Sequence, residues 1–358
     1  MHPHSSAPGE PVSATAGLEG TGLTIRDLVV DYATGRKKRR RAVDGVSLDV
    51  PTGRTVGLVG ESGSGKSTVA KAVLGMAPVS SGTLTYGPTR LQDLGRGSRP
   101  QQIQVVFQDP YSSLDPTKTI GYTLAEPLRA HTDRTGTRLT ESDRGTAVRT
   151  MLEKVGLPPE AADRYPAQFS GGQRQRISIA RALILRPELV ICDEAVSALD
   201  LSVQAQILNL LLELQQDLGL SMLFITHDLS VVHHIAEDIV VLYRGRVLES
   251  GTAEAVCRTP SHPYTRQLVM SAPLHSVSRQ RRRREQREAM TPPPARLAPL
   301  ADSCPFTHRC PHAVERCRTE RPALRASPHG GRVACHRADE LPPWTETFTV
   351  SPEKNENP

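Results

Sequence analysis

Long apolar runs and aromatic side chains are both scarce in this sequence. No segment reaches the roughly 18 consecutive apolar residues that a membrane-spanning helix requires, and aromatic residues make up only 4% of the 358 residues. Residues 1–20 lack the basic start and apolar core of a secretory signal peptide. These absences exclude an integral membrane protein. We therefore expect a cytoplasmic chain that reaches a membrane only through partner proteins.

The excess of positive charge is confined largely to two short runs. The net charge is +6, and residues 36–41 are six consecutive Lys or Arg, while residues 279–288 hold six Arg against two Glu. Basic runs can bind nucleic acid or anionic lipid. Neither run lies near a group of aromatic residues on which bases could stack. We interpret them as a solvated hairpin loop and a solvated linker, and we expect no direct contact with nucleic acid.

The middle of the chain has the pattern of an α/β domain. Short buried apolar runs, such as residues 55–59 and 190–192, alternate with amphipathic stretches, which predicts a mainly parallel sheet covered by helices. Composition then divides the chain into five parts. They are a disordered leader (1–20), a main domain (21–272) with a helical subdomain at about 110–180, a linker (273–303), a cysteine-rich extension (304–340) and a tail (341–358).

A phosphate-binding motif follows the first buried run. Residues 60–67 fit the pattern G-x-x-x-x-G-K-[ST], which lies between a predicted strand and a predicted helix beginning at Lys66. Its glycines allow successive N–H groups to face phosphate oxygens at the positive end of the helix. Lys66 would neutralise the terminal phosphates, and the hydroxyl of Ser67 would bind Mg²⁺. The motif predicts a nucleoside triphosphate site.

Two adjacent carboxylates end the buried run 189–193. Asp193 is placed to hold Mg²⁺, and Glu194 to act on an attacking water as the general base of phosphoryl transfer. The alternative is a helix cap formed by an acidic residue. Together with the preceding motif, the pair predicts an NTPase, in which Cys192 is a small core residue.

A third motif narrows the family. Residues 169–173, Phe-Ser-Gly-Gly-Gln, lie about 20 residues before the Asp-Glu pair and resemble the signature sequence of ATP-binding cassette (ABC) proteins, with Phe where Leu is usual. The resemblance spans about residues 20–260. It implies a P-loop cassette with a parallel-sheet core, an antiparallel β subdomain and a helical subdomain. It also implies ATP hydrolysis, with the signature capping the γ-phosphate bound by an opposing cassette.

The same resemblance assigns the rest of the site. Gln108 is similar to the family's Q-loop residue, which senses Mg²⁺, Asp200 to the D-loop residue, His227 to the switch histidine, and Tyr32 to the aromatic residue that stacks on adenine. For Tyr32 the alternative is a strand-surface tyrosine. The predicted nucleotide-contacting residues are Tyr32, Gly60, Glu61, Ser62, Gly63, Ser64, Gly65, Lys66, Ser67, Thr68, Gln108, Ser170, Gly171, Gly172, Gln173, Asp193 and Asp200. Those with catalytic roles are Glu194, His227 and Gln108.

Further segments resemble the oligopeptide/dipeptide permease ATPases, particularly the second of their two unlike ATPase subunits. They are residues 105–116, residues 192–200 with the sequence Asp-Glu-Ala-Val, and the motif His-Pro-Tyr at residues 262–264. The resemblance implies a partner ATPase in a heterodimer, two membrane subunits, an extracytoplasmic binding protein and a place on the cytoplasmic face of the membrane. Nickel or glutathione import is the alternative. A soluble ABC ATPase acting on DNA or ribosomes, or a redox or metal sensor, is a more distant one.

Four of the six cysteines fall in the last 55 residues, at the spacing C-x₅-C-x₆-C-x₁₇-C. In a cytosolic chain such clustering favours metal over disulfides. The gaps are wide for zinc, whereas four thiolates suit a [4Fe–4S] cluster, which certain members of the permease family carry here. Zinc, with His308, His312 or His336 replacing a cysteine, and plain reduced thiols remain alternatives. The predicted cluster ligands are Cys304, Cys310, Cys317 and Cys335.

Overall fold

The computed structural model describes residues 22–35, 39–94, 101–109, 114–130, 139–271 and 302–345. Several sequence predictions lie outside these ranges. They concern the leader at 1–20, all but two residues of the linker at 273–303, the tail beyond residue 345, and residues 36–38 and 279–288 of the basic runs.

The described residues form twelve strands and nine α-helices. The strands are β1 (Leu23–Ala33), β2 (Arg39–Val50), β3 (Thr55–Val59), β4 (Val79–Tyr86), β5 (Thr89–Arg90), β6 (Ile103–Val106), β7 (Leu189–Asp193), β8 (Ser221–Thr226), β9 (Asp238–Tyr243), β10 (Arg246–Thr252), β11 (Arg325–Ala326) and β12 (Arg332–Val333). The helices are α1 (Lys66–Val73), α2 (Ile120–Ala130), α3 (Glu141–Lys154), α4 (Gly171–Leu183), α5 (Leu201–Leu218), α6 (Leu229–Ile235), α7 (Ala253–Arg258), α8 (Pro263–Ser271) and α9 (Glu315–Thr319).

A parallel sheet in the order β9-β3-β8-β7-β6 forms the centre of the fold. Its strands are short apolar runs, and β3 is buried along its whole length, because the strands of a parallel sheet are covered on both faces. In register, Val59 at the end of β3 is opposite Thr226, and Asp193 at the end of β7 is opposite Ile225. The carboxyl ends of β3, β7 and β8 therefore meet at one edge, where the residues that follow each strand come together.

The two faces of this sheet belong to two hydrophobic clusters. On β7, Leu189 and Ile191 pack in the cluster that contains α1, while Val190 and Cys192 pack in the cluster that contains α2 to α8. The alternation follows from the two-residue period of a strand. The helices α2, α3 and most of α4 lie within the predicted helical segment 110–180, whose boundary as a subdomain remains a prediction.

A four-stranded antiparallel sheet, β2-β1-β4-β5, covers the α1 side. Strand β2 begins at Arg39, so the second half of the basic run is strand, and the prediction that the whole run is a loop was wrong. The reason is two carboxylates beside Arg41: it donates to Asp31 across the hairpin and to Asp44 on its own strand, each at 3.0 Å. These carboxylates allow a charged segment to continue the strand.

The C-terminal residues join the central sheet. Strand β10 pairs with β9 and with β12, and β12 pairs with β11, all antiparallel, which lengthens the sheet to eight strands. Cys304, Phe306 and Cys317 pack in the same hydrophobic cluster as the sheet and its helices. The predicted cysteine-rich extension is therefore not supported as a separate unit. Composition alone suggested a boundary because strand pairing over long distances leaves no local signal.

Candidate nucleotide site

The turn between β3 and α1 carries the phosphate-binding motif. Gly63 and Gly65 have φ values of 77° and 109°, in the left-handed region that glycine adopts without a steric penalty. A Cβ on Gly65 would lie 2.6 Å from the carbonyl oxygen of Ala42. The loop therefore requires glycine at this position, both for its backbone conformation and for its contact with β2.

Lys66 lies inside this loop. Lys66 is only 3% exposed. Its Nζ donates hydrogen bonds to the carbonyl oxygens of Gly60 at 2.7 Å and Glu61 at 3.1 Å. Burial lowers the pKa of Lys66, and the carboxylates of Glu194, Asp193 and Glu61 oppose that shift. The loop thus holds a buried amine around which its own carbonyl groups converge, a suitable position for contacting a phosphate.

Ser67 and Asp193 come together from different elements. The hydroxyl of Ser67, on α1, donates to Oδ1 of Asp193, at the end of β7, at 3.0 Å. Burial raises the pKa of Asp193, and the hydrogen bond from Ser67 opposes the shift. A hydroxyl and a carboxylate side by side are the hard oxygen ligands that Mg²⁺ prefers, so these two residues fit the predicted magnesium site.

Glu194 follows in an unusual backbone conformation. Its φ is 51°, which is uncommon for a residue other than glycine, and its N–H donates to the carbonyl oxygen of Ile225 at 2.9 Å. His227, directly after β8, places Nδ1 3.6 Å from Oε1 of Glu194. The sheet edge therefore brings the predicted general base and the predicted switch histidine together, as the alignment of β7 with β8 requires.

An open cleft of about 690 Å³, within the range of small-molecule sites, lies along the phosphate-binding loop. The predicted residues that line it are Tyr32, Ser62, Gly63, Gly65, Lys66, Ser67, Thr68 and Glu194. The sequence-based prediction missed five others, namely Thr34, Arg40, Arg41, Ala42 and Arg244. Arg40 is opposite Tyr32 across the β1–β2 hairpin. In the sequence, Arg40 is marked only by its place in the basic run, which predicts a solvated loop.

Gln108 reaches the site indirectly. Its Nε2 donates to the hydroxyl of Ser197 at 3.3 Å, and that hydroxyl donates to the carbonyl oxygen of Glu194 at 3.0 Å. The predicted Q-loop residue is therefore linked to the backbone of Glu194, the predicted general base, by two hydrogen bonds through Ser197.

The signature residues lie elsewhere on the surface. Ser170 caps the 13-residue helix α4 by accepting from the N–H of Gln173 at 3.3 Å, and the Gln173 side chain accepts from the N–H of Ser170 at 3.0 Å. A Cβ on Gly172 would lie 2.5 Å from Cγ1 of Val203. Asp200 caps α5 by accepting from the N–H of Val203 at 3.0 Å. The structure does not bring Asp200 or residues 170–173 into the lining of the cleft.

The C-terminal residues also contact the phosphate-binding loop. The hydroxyl of Tyr264 accepts from the N–H of Glu61 at 2.9 Å, and Arg309 donates to both carboxylate oxygens of Glu61 at 2.8 and 3.0 Å. Arg244, which lines the cleft, donates to Nε2 of His308 at 3.3 Å. Sequence analysis missed all of these contacts. Of the residues involved, only Tyr264 belongs to a segment that the sequence analysis had identified, the distinctive His-Pro-Tyr motif.

A buried carboxylate explains the position of Tyr264. Glu249 on β10 accepts from the N–H groups of Ser261 at 2.7 Å and His262 at 2.9 Å, and burial raises the pKa of Glu249 to about 7. Nδ1 of His262 in turn accepts from the N–H of Tyr264 at 2.9 Å. These bonds shape the turn before α8, so that the tyrosine points at the phosphate-binding loop.

Comparison with known proteins gives the family. The chain is 42% identical over 332 residues to a di/tripeptide transport ATP-binding protein, DppF, of Pseudomonas aeruginosa, covering 90% of this chain and 99% of that one. It is 45% identical to the oligopeptide transport ATP-binding protein OppF of Salmonella typhimurium, covering 89% and 97%. The chain belongs to the ATP-binding subunits of the oligopeptide/dipeptide ABC transporters. Residues 43–197 match the ABC transporter family model, and residues 248–317 match that of the oligopeptide/dipeptide transporter C-terminal region.

Solved structures show the same fold. The ATP-binding cassette MJ0796, a dimer bound to ADP and phosphate, has a TM-score of 0.57 at 27% identity, covering 64% of this chain and 98% of that one. CbiO1 of Clostridium perfringens, from the transporter complex CbiONQ, also has a TM-score of 0.57, at 25% identity, covering 66% and 91%. The predicted cassette fold and ATPase activity are confirmed. An ABC transport ATPase works with membrane permease subunits. Among the described residues of this chain, no helix is long and apolar enough to cross a bilayer.

The four C-terminal cysteines of this ABC subunit line a single cavity of about 10 Å³, roughly the size of one water molecule. Burial raises the pKa of Cys304 and of Cys310 to about 12 and also raises that of Cys335. In the described part of the chain, no group of three or more His, Cys, Asp or Glu side chains is arranged to hold a metal ion. The structure therefore does not show the predicted iron–sulfur cluster or the zinc alternative.

Proposed function

We propose that this chain hydrolyses ATP to drive the import of oligopeptides or dipeptides. The placement of Ser67 and Glu194 on the lining of the cleft, with Asp193 bonded to Ser67, carries the proposal, because it combines the parts that phosphoryl transfer needs. The peptide class is supported by the relatives named above and by the match of residues 248–317 to a peptide transporter region.

In this proposal the nucleotide binds along the cleft from Tyr32 to Lys66. The ring of Tyr32 stacks on adenine. The N–H groups of the loop face the phosphates, except those of Glu61 and Ser64, which donate to Tyr264 and to the carbonyl oxygen of Glu61. The buried amine of Lys66 neutralises phosphate charge in a place where water screens it poorly. The guanidinium groups of Arg40 and Arg244, which also line the cleft, add positive charge around the polyphosphate.

Ser67, Asp193 and Gln108 are the residues that would hold Mg²⁺, which when bound neutralises charge on the transferred phosphoryl group. The carboxylate of Glu194 orients the attacking water and accepts its proton. Nδ1 of His227 lies 3.6 Å from Oε1 of Glu194, and in this proposal the imidazole contacts the γ-phosphate beside that carboxylate. The two serine-mediated bonds from Gln108 connect the base to the loop that follows β6.

The exposed signature residues belong, in this proposal, to a second ATP site. Ser170, Gly171, Gly172 and Gln173 form the start of α4, away from the chain's own cleft, and the N–H groups at a helix start bind anions. They would cap the γ-phosphate held by a partner cassette, with Asp200 at the contact. We propose a heterodimer with an unlike ATPase, together with two permease subunits and an extracytoplasmic binding protein.

The test is purification of the chain with its partners from its own membranes. We expect a second ATPase, two membrane subunits and a binding protein loaded with peptide, and ATP hydrolysis that rises when the loaded binding protein is added. A binding protein that carries nickel or glutathione would show that the transporter imports that solute instead of peptides. A chain that purifies alone, with hydrolysis indifferent to any membrane fraction, would contradict import.

We further propose that Cys304, Cys310, Cys317 and Cys335 hold a [4Fe–4S] cluster. Support comes from their shared cavity and from two buried polar atoms on its lining, Nε2 of His262 and Oγ1 of Thr307, which have no hydrogen-bond partner among the described residues. Because Nδ1 of His262 accepts a hydrogen bond, Nε2 carries the proton and can donate it. Cluster sulfides and thiolates are acceptors that would satisfy both groups. The cysteines must move apart to admit a cluster, since the cavity is small.

Anaerobic purification followed by iron, sulfide and zinc analysis tests the cluster. We expect about four iron and four sulfide per chain, as the formula of a [4Fe–4S] cluster requires, and loss of both in a Cys310→Ser variant. Cys257→Ser is the matched control, since Cys257 is buried in the core outside the cavity. One equivalent of zinc without sulfide would replace the cluster, and a metal-free protein with full transport activity would refute it.

A further inference from the structure

Glu61, the second residue of the phosphate-binding motif, is fixed from three sides. Its carbonyl oxygen accepts from Nζ of Lys66 at 3.1 Å, its N–H donates to the hydroxyl of Tyr264 at 2.9 Å, and its carboxylate accepts two hydrogen bonds from Arg309. The first contact lies within the loop. The other two come from residues more than 200 positions along the chain.

The contact with Arg309 has the geometry of a specific pair. Both guanidinium nitrogens donate, at 2.8 and 3.0 Å, to the two carboxylate oxygens, the bidentate form that fixes orientation as well as distance. The pair is partly buried, with side-chain exposures of 34% for Arg309 and 41% for Glu61. Glu61 carries the single acidic side chain of residues 60–67, a loop built to receive a polyphosphate. Without its partner it would repel that ligand.

Arg309 is held in place by the segment that carries it. In the turn formed by residues 304–310, the N–H of Cys304 donates to the carbonyl oxygen of Cys317 at 2.9 Å, and that of Arg309 donates to the carbonyl oxygen of Phe306 at 3.0 Å. Phe306 is fully buried, and its ring centroid lies 5.4 Å from that of Tyr264. The two C-terminal contacts to Glu61 therefore belong to one packed unit.

We propose that Arg309 is a positioning residue of the nucleotide site, which neutralises Glu61 and holds it away from the incoming phosphates. The C-terminal residues, in addition to their place in the sheet, then complete the phosphate-binding loop. The proposal rests on the nucleotide site proposed above. It goes beyond that site because it gives Arg309, a residue outside the cassette motifs, a part in ATP binding.

ATP affinity of the full chain, measured by calorimetry with MgATP, tests this role in a cycle of variants. We expect Arg309→Ala to weaken binding about three- to tenfold, the scale of a partly exposed charge pair. Glu61→Gln should bind ATP more tightly than the parent, because it removes the acidic charge and leaves the guanidinium of Arg309. The double variant, Glu61→Gln with Arg309→Ala, should recover the parent affinity, because the loss in the single variant comes from the unpaired carboxylate. Arg309→Lys, which keeps the charge, should lose less than Arg309→Ala.

Two controls separate this role from stability and from the site itself. Arg316→Ala removes an arginine of the same region that pairs with Glu320, and it should leave ATP affinity unchanged. Thermal unfolding of each variant shows that the chain is folded. Parent affinity in folded Arg309→Ala, or a double variant as weak as Arg309→Ala, would overturn the proposal. If Lys66→Ala also left binding intact, the nucleotide site itself would be misplaced.

Discussion

Replacement of Glu194 by Gln is expected to leave ATP binding intact and to slow hydrolysis at this subunit's site by about 10²- to 10⁴-fold, the usual contribution of a general base. Gln has the size and shape of Glu but cannot accept the proton of the attacking water. Glu194 lines the cleft, its backbone is held by the bond to Ile225, and its carboxylate lies 3.6 Å from His227. The substitution therefore removes the base and leaves the rest of the site in place.

Nucleotide affinity and turnover should be measured separately in the assembled transporter, since in the proposed mechanism the γ-phosphate is held by groups from two cassettes. Glu213→Gln is the matched control. It makes the same chemical change on the exposed side of α5, and both affinity and turnover should equal those of the parent. The assignment fails if Glu194→Gln loses ATP binding while turnover per bound ATP is unchanged.

Lys66→Ala should instead weaken the binding of ATP itself, by about 10- to 100-fold, the range for a lost charged hydrogen bond. The amine of Lys66 is buried and donates to the carbonyl oxygens of Gly60 and Glu61. Its removal takes away a poorly screened positive charge and leaves those carbonyl groups facing the phosphates. Alanine favours helix, so α1 should still begin at this position.

Equilibrium binding of MgATP to the full chain measures this effect. Lys71→Ala is the control on the same helix, because Lys71 is exposed, and its affinity should match that of the parent. An unchanged affinity in Lys66→Ala, with weakened binding in Lys71→Ala, would mean that the phosphates bind on the Lys71 side of α1. That result would contradict the assignment of Lys66.

Much of the nucleotide site could be predicted from the sequence, because its motifs are contiguous and each motif has a local physical cause. Gly65 must adopt a positive φ, Lys66 must follow it to begin a helix, and Asp193 must end a buried strand. Those requirements limit the residue types and their spacing within a few positions. Eight of the residues that line the cleft around Lys66 were therefore identifiable in advance, as was the family.

Long-range contacts were beyond such analysis. Arg40 looked like part of a solvated loop because its place beside Tyr32 depends on pairing across a hairpin. The cysteine-rich region looked separate because its composition differs, although β12 pairs with β10 and Phe306 packs in the main core. Neither side-chain partners nor strand neighbours can be deduced from local composition.

By itself, the sequence determined the chemistry of this protein: the phosphate-binding loop, the adjacent carboxylates and the signature helix are each specified by a few neighbouring residues. Only the tertiary structure decided which distant residues complete the site. The turn shaped by Glu249 brings Tyr264 to the N–H of Glu61, and the packing of Phe306 places Arg309 on the carboxylate of the same residue. The physical reason is that such contacts join segments about 200 or more residues apart, where only the folding of the whole domain brings the partners within hydrogen-bonding distance.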